Sequence, residues 1–183
     1  TSSVTTMNSM FYDCSSLEEL DITGFSTNNV TSMHSMFYNC ANLKNLDVSG
    51  FVTTSLTGMA SMFYGCSALE SLDISKFNIS SVTDSSSMFG NCNNLTRLDA
   101  PRNDRQLDME LPAPMNKHIW KYQTTGEVVT GVTEAGMYVR EIGGTTNKLS
   151  WNIDVDGNLT ITGTGDYLQR DWYEYRDEIK TAT

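Results

Sequence analysis

Apolar positions in the first hundred residues fall into columns. Phe11, Phe37, Phe63 and Phe89 recur every 26 residues, and so do Met10, Met36, Met62 and Met88. The same step carries Cys14, Cys40, Cys66 and Cys92, then Leu17, Leu43, Leu69 and Leu95, then Leu20, Leu46, Leu72 and Leu98. A polar column, Asp21, Asp47, Asp73 and Asp99, keeps the same register. A fixed period of this length marks a repeat architecture, in which one unit cannot bury its apolar side alone and stacking completes the core.

Within a unit two periodicities alternate. Met33, Met36, Phe37 and Cys40 stand at i, i+3, i+4 and i+7, a stripe that predicts a short amphipathic helix. Val30 extends that stripe, and Thr31 occupies the position of a capping hydroxyl. Leu46-Asp47-Val48 alternates and predicts a short strand with Asp47 outward. Gly50 supplies a turn, after which Phe51 returns inward. The expected fold class is an α/β solenoid: a leucine-rich repeat with a parallel β-sheet and short helices, followed by small β-hairpin units. Four units, the first truncated, span residues 1–103. The fourth departs from the pattern, with Ser85 in place of Met, Gly90 in place of Tyr, and Pro101 removing a ladder donor.

The unit V-T-x-M-x-x-M-F-Y-x-C-x-x-L-x-x-L-D-I-x-x-F resembles the 26-residue repeat of BspA-like leucine-rich-repeat bacterial surface proteins over residues 1–103. That resemblance implies an extracellular protein on a bacterial cell surface, anchored to wall or membrane by segments outside this sequence. It also implies adhesion to host or microbial partners.

Beyond the array, residues 104–146 read as a linker, with Pro112 and Pro114, and a small β capping unit. Ile119–Tyr122 and Glu127–Val129 flank Thr124-Thr125-Gly126, a hairpin signal, and Met137-Tyr138-Val139 is a third strand. So small a unit needs support, which the open end of the array would give. Residues 147–183 read as a second hairpin, Leu149–Ile153 with Leu159–Gly165, turning at Asp156-Gly157-Asn158, and then a short helix over Trp172–Lys180. The string L-T-I-T-G-T-G with W-Y-x-Y-R-x-x-I-K after it looks like the opening of the other common repeat array of BspA-like proteins, so a second array is expected to follow.

Composition narrows the function classes. The net charge is −10, with 12 basic residues scattered among 22 acidic ones. Nucleic acid and anionic lipid both need clustered Lys and Arg, so no nucleic-acid partner and no direct membrane insertion are expected. Catalysis needs a nucleophile, a base and an orienter in mutual reach. The two histidines, His34 and His118, are far apart in sequence, and His34 shares its column with Asn8, Ala60 and Ser86. No enzyme activity, cofactor or metal is expected. The four cysteines lie in one interior column, where parallel side chains suit buried thiols better than disulfides, and the seven methionines of the array are assigned to the core.

Two sets of outward residues are the candidate binding surface for a host or microbial macromolecule, protein or glycan. Glu19, Asn45, Ser71 and Arg97 differ from unit to unit beside the constant Asp21, Asp47, Asp73 and Asp99, and variable positions on a fixed frame are how repeat arrays encode a ligand surface. Each Asp either closes its own turn or contributes to an acidic, cation-binding stripe. Tyr12, Tyr38 and Tyr64 form the second set, either packing between helices or a stacked aromatic ridge. The alternative to a binding module is a spacer that displays another domain.

Overall fold

The computed structural model describes residues 1–103, 106–112, 118–146, 149–154, 156–163 and 179–183. The 26-residue units stack in register, but not as anticipated. Among the described residues there is no helix, and the α/β solenoid of leucine-rich-repeat type with short helices is not seen.

The segment taken for a helix is a chain of turns. In the second unit the N–H groups of Met36, Tyr38 and Cys40 donate to the carbonyls three residues back, Met33, Ser35 and Phe37, at 3.1–3.2 Å. The intervening N–H groups point the other way. Met33, Ser35, Phe37 and Asn39 donate to Gly58, Ala60, Met62 and Tyr64 of the next unit at 2.8–2.9 Å. Such a segment cannot be a right-handed helix, because Ser35 and Asn39 have φ of 53° and 56°. The same pair of left-handed positions returns at Ser9 and Asp13, at Ser61 and Gly65, and at Ser87 and Asn91. Asn, Asp and Gly tolerate that conformation best, which accounts for the column Asp13, Asn39, Gly65, Asn91. An apolar residue every three or four positions therefore faces the core, while half the peptide groups bind the neighbouring unit instead of their own.

Thr31, expected as a helix cap, bonds backward: its N–H and Oγ1 both donate to the carbonyl of Thr5, at 2.9 and 3.1 Å. Thr57 and Thr83 repeat this one and two units on. Parallel bridges link Thr6, Ser32, Gly58 and Asp84 in series.

On the opposite side of each unit, strands form only late in the array. β1 (Ser71–Asp73) and β2 (Arg97–Ala100) pair in parallel, Ser71 with Arg97 and Asp73 with Asp99. The corresponding residues of the first two units carry no strand. The interior is made of the repeated columns. Phe37, Phe63 and Phe89 are buried and stack on one another, with Phe11 at the end of the row, at ring separations of 5.6–6.1 Å.

Two assignments within these columns need correction. Cys40, Cys66 and Cys92 are buried free thiols, but Cys14 is exposed. Met10 is 46% exposed and lies outside the core. Both belong to the first unit, whose Ser9, Phe11 and Asp13 N–H groups donate to His34, Met36 and Tyr38 of the second.

The C-terminal part is antiparallel. β3 (His118–Tyr122) pairs with β4 (Val128–Val129) and with β5 (Gly136–Thr146). β5 also pairs with β2, Arg97 facing Val139, and with β6 (Leu149–Ile153). Val139 faces both Arg97 and Lys121, and Ile142 faces both His118 and Ile153, so β2 and β6 share one edge of β5 and β3 holds the other. β5 thus occupies the edge of β2 onto which a further repeat strand would add. β7 (Asn158–Gly163) completes a hairpin with β6, and β8 (Thr181–Ala182) pairs with it in parallel. Trp151, Ile153 and Leu159 form a separate small core there. In the turn between β6 and β7, Asp154 Oδ1 accepts from the N–H groups of Asp156 and Asn158, both at 2.9 Å. The helix expected over Trp172–Lys180 lies outside the described residues but for its last two positions.

Candidate functional site

The column of variable residues and the Asp column share one outer face of the array. Glu19, Asn45, Ser71 and Arg97 are all exposed, as are Asp21, Asp47 and Asp73, while Asp99 is partly buried. In the third and fourth units β1 and β2 place the two columns side by side.

Three of the four carboxylates bind their own turn. Asp21 Oδ1 accepts from the N–H and the hydroxyl of Thr23 at 2.9 and 2.7 Å. Asp73 does the same with Ser75 at 2.9 and 2.6 Å, and Asp47 accepts the N–H of Ser49 at 2.9 Å. This is the local side-chain closure that Asp favours in turns. The bonds to Thr23 hold the Asp21 carboxyl below its ordinary value, and those to Ser49 do so for Asp47. Asp99 differs because Pro101 stands two residues on, where the other units have Ser or Thr. Its carboxyl is pushed up, first by burial and then by Asp73, against a weaker pull from Arg97. No group of three or more His, Cys, Asp or Glu side chains among the described residues is placed to hold a metal ion.

The tyrosines make a continuous ladder. Tyr12 and Tyr38 stack with ring centres 4.7 Å apart, and Tyr38 and Tyr64 at 4.8 Å, each pair within 7° of parallel. That spacing is the rise between neighbouring strands of a sheet, so the stack of units sets it. The ladder is not packed between helices, since the described residues hold none. Tyr12 is half exposed, and Tyr38 and Tyr64 are half-buried. The far end is closed by the fourth unit: Tyr64 Oη accepts from Asn91 Nδ2 at 2.8 Å, and its ring lies over Gly90. A Cβ at Gly90 would come within 2.6 Å of that ring, which explains why the tyrosine column ends in glycine.

His34, which shares its column with Asn8, Ala60 and Ser86, is half-buried, and its ring covers Gly58 where a Cβ would meet Nε2 at 2.2 Å. The buried thiols are spent on packing. Cys40, Cys66 and Cys92 donate to the carbonyls of Phe11, Phe37 and Phe63 in the preceding unit at 3.0–3.2 Å. Burial pushes the thiol of Cys40 up to about 11 and that of Cys92 up to about 12, far from the range of a reactive nucleophile.

One residue that mattered was missed. Arg140, near the middle of β5, is 6% exposed and donates from Nη2 to the carbonyl of Asn93. A single arginine outside the repeat carries no periodic signal.

A family model described as "Mycoplasma protein of unknown function, DUF285" matches residues 1–100. No curated protein and no solved structure matches the chain.

Proposed function

Because the chain belongs to the DUF285 family, we propose that it is a non-catalytic surface module whose stacked units hold a protein- or glycan-binding face toward a host or microbial macromolecule. The observation that carries this reading is the Tyr12–Tyr38–Tyr64 ladder, a rigid aromatic ridge with a half-exposed end. Aromatic side chains that are already ordered add contact area at little entropic cost, and tyrosine is enriched at interfaces for that reason. The varied residues Glu19, Asn45, Ser71 and Arg97 supply the differences a specific partner needs. The likeness of the repeat to BspA-like surface proteins supports a location on the bacterial exterior. Among the described residues no helix is long and apolar enough to cross a membrane.

The spacer reading draws on one specific observation: Asp21, Asp47 and Asp73 are engaged in their own turns, so the acidic column needs no ligand to account for it. Binding of the whole chain to immobilised extracellular-matrix proteins and to a glycan panel separates the two. The binding reading expects a saturable partner whose affinity falls at least tenfold on Tyr12→Ala or Glu19→Lys, with Asp47→Asn indifferent. Affinity unmoved by those substitutions would place the site elsewhere, and binding to none of these partners would leave the spacer.

A further inference from the structure

We propose that the cleft between the fourth repeat unit and the β3–β4 pair is a peptide-docking groove. It takes a segment of a partner polypeptide that folds as the repeat's own chain of turns, and so supplies the rung a fifth unit would occupy. This goes beyond the surface reading above, which places its partner on the Tyr ladder and the variable column.

The first observation is a row of donors left over. At each junction inside the array, alternate N–H groups donate to carbonyls of the next unit. Ser35, Phe37 and Asn39 donate to Ala60, Met62 and Tyr64, and Ser61, Phe63 and Gly65 donate to Ser86, Met88 and Gly90, all at 2.8–3.1 Å. In the fourth unit the equivalent donors are Ser87, Phe89 and Asn91, and no acceptor for them is found among the described residues. The intervening N–H groups of Gly90 and Cys92 are already bonded within the unit, to the carbonyls of Ser87 and Phe89. Ser87 and Asn91 hold φ of 54° and 58°, as Ser35 and Asn39 hold 53° and 56°. The open edge therefore has the shape of the edges that are filled.

The second observation is that the next rung starts and then departs. Ser85 Oγ donates to the carbonyl of Asp108 at 2.9 Å. Beyond that point the chain pairs elsewhere: Leu111 N–H donates to the Thr130 carbonyl and Val132 N–H to the Met109 carbonyl, at 2.9 and 3.1 Å. About 430 Å³ of space is left, bounded by Ser87 and Asn91 of the array and by Leu111, Trp120 and Val129 opposite. That is the size of a ligand cleft. Its walls are already fixed, by Trp120 Nε1 donating to the Pro112 carbonyl at 3.1 Å and by Arg140 Nη2 donating to the carbonyl of Asn93. A groove built in advance costs little ordering when it is filled.

The chemistry of the occupant follows. Backbone donors call for acceptors. Glu110 is exposed at the cleft and the chain carries a net charge of −10, which favours neutral carbonyl oxygens over anions. Carbonyls that meet such donors at the filled junctions belong to segments that themselves hold Ser61 and Gly65, or Ser87 and Asn91, at positive φ. The partner segment therefore carries Ser, Asn or Gly at two positions four residues apart, with apolar residues between them to meet Leu111, Trp120 and Val129.

The test is an NMR titration of the whole ¹⁵N-labelled chain with a synthetic peptide, blocked at both ends, that copies Ser32–Asn39. Saturable shifts of the Ser87, Phe89 and Asn91 amides are expected, with their hydrogen exchange slowed at least tenfold at saturation and that of Gly90 and Cys92 unmoved. A Kd on the order of 1 mM is in reach of so short a probe. A control peptide with valine at the positions copied from Ser35 and Asn39 should bind at least tenfold more weakly, because a β-branched residue resists positive φ. Inorganic phosphate should bind no better than that control. Ser87→Tyr, which fills the cleft from an exposed position, should abolish binding of the first peptide. Shifts that spare the three alternate amides, equal binding of the control peptide or of phosphate, or affinity that survives Ser87→Tyr would overturn the proposal. Should Ser87→Tyr fail to fold, the pattern of alternate amides on the unaltered chain still decides.

Discussion

The first and third repeat units carry nearly the same residues and have different fates. Met62, Phe63 and Cys66 are buried, whereas Met10 and Cys14 are exposed and Phe11 is only half-buried. The third unit receives hydrogen bonds from the second and gives them to the fourth, while the first gives its own to the second. Burial in this molecule is conferred by the neighbour and not by the unit's own sequence. That is what a stacked array implies when no unit can close its own core.

The sharpest contrast is chemical. A maleimide or disulfide reagent should label Cys14 in the folded protein at the rate of a free thiol. Cys40, Cys66 and Cys92 should react more slowly by on the order of a thousandfold, the opening equilibrium of a domain with about 5 kcal/mol of stability. Equal labelling of all four, read by mass spectrometry, would break the comparison.

Next comes core truncation. Phe63→Ala should cost about 3–5 kcal/mol in denaturant unfolding, because its ring is sandwiched between those of Phe37 and Phe89. Phe11→Ala, in the half-covered unit, should cost about 1–2 kcal/mol.

Glycines give a smaller contrast. Gly90→Ala drives a methyl group into the Tyr64 ring, which is held by Tyr38 and Asn91, and should cost about 1–3 kcal/mol. Gly50→Ala meets open space and should be nearly neutral.

The smallest effect is the pH dependence of the Asp column. Asp21 and Asp47 have lowered pKa values when folded, so their contribution is present above the ordinary carboxylate range and is lost as pH falls through the lowered values. Asp99 has the opposite sign. Its pKa is raised, so it opposes folding while ionised, and that penalty disappears as pH falls through the raised value. Asp99→Asn should therefore move the urea midpoint upward at neutral pH and leave it unchanged in acid, whereas Asp47→Ala should lower it only where the carboxylate is ionised.

The period, the interior Phe and Leu columns and the unpaired cysteines were legible in the sequence, because stacking repeats them without change. The helix was not present, although the stripe Met33, Met36, Phe37, Cys40 fits one. A succession of turns puts apolar residues on one side at the same intervals, so spacing alone cannot tell the two apart. The discriminating residues were in view at Asp13, Asn39, Gly65 and Asn91, a column of the types that tolerate positive φ and sit poorly inside a helix. For the outer face, the closure of turns by Asp was readable from the Ser or Thr two positions on. The Tyr ladder's spacing depends on the rise between units, and Arg140's burial depends on β5 docking against β2. Neither has a local signature.

Hydrogen exchange of individual amides tests the central claim most directly, that alternate peptide groups bind the next unit instead of closing a helix. In the second and third units the N–H groups of Met33, Ser35, Phe37 and Asn39, and of Met59, Ser61, Phe63 and Gly65, should be strongly protected. Ser87, Phe89 and Asn91 in the fourth unit should exchange markedly faster. Equal protection of the fourth unit's amides, together with a helical far-UV circular dichroism spectrum, would contradict the account.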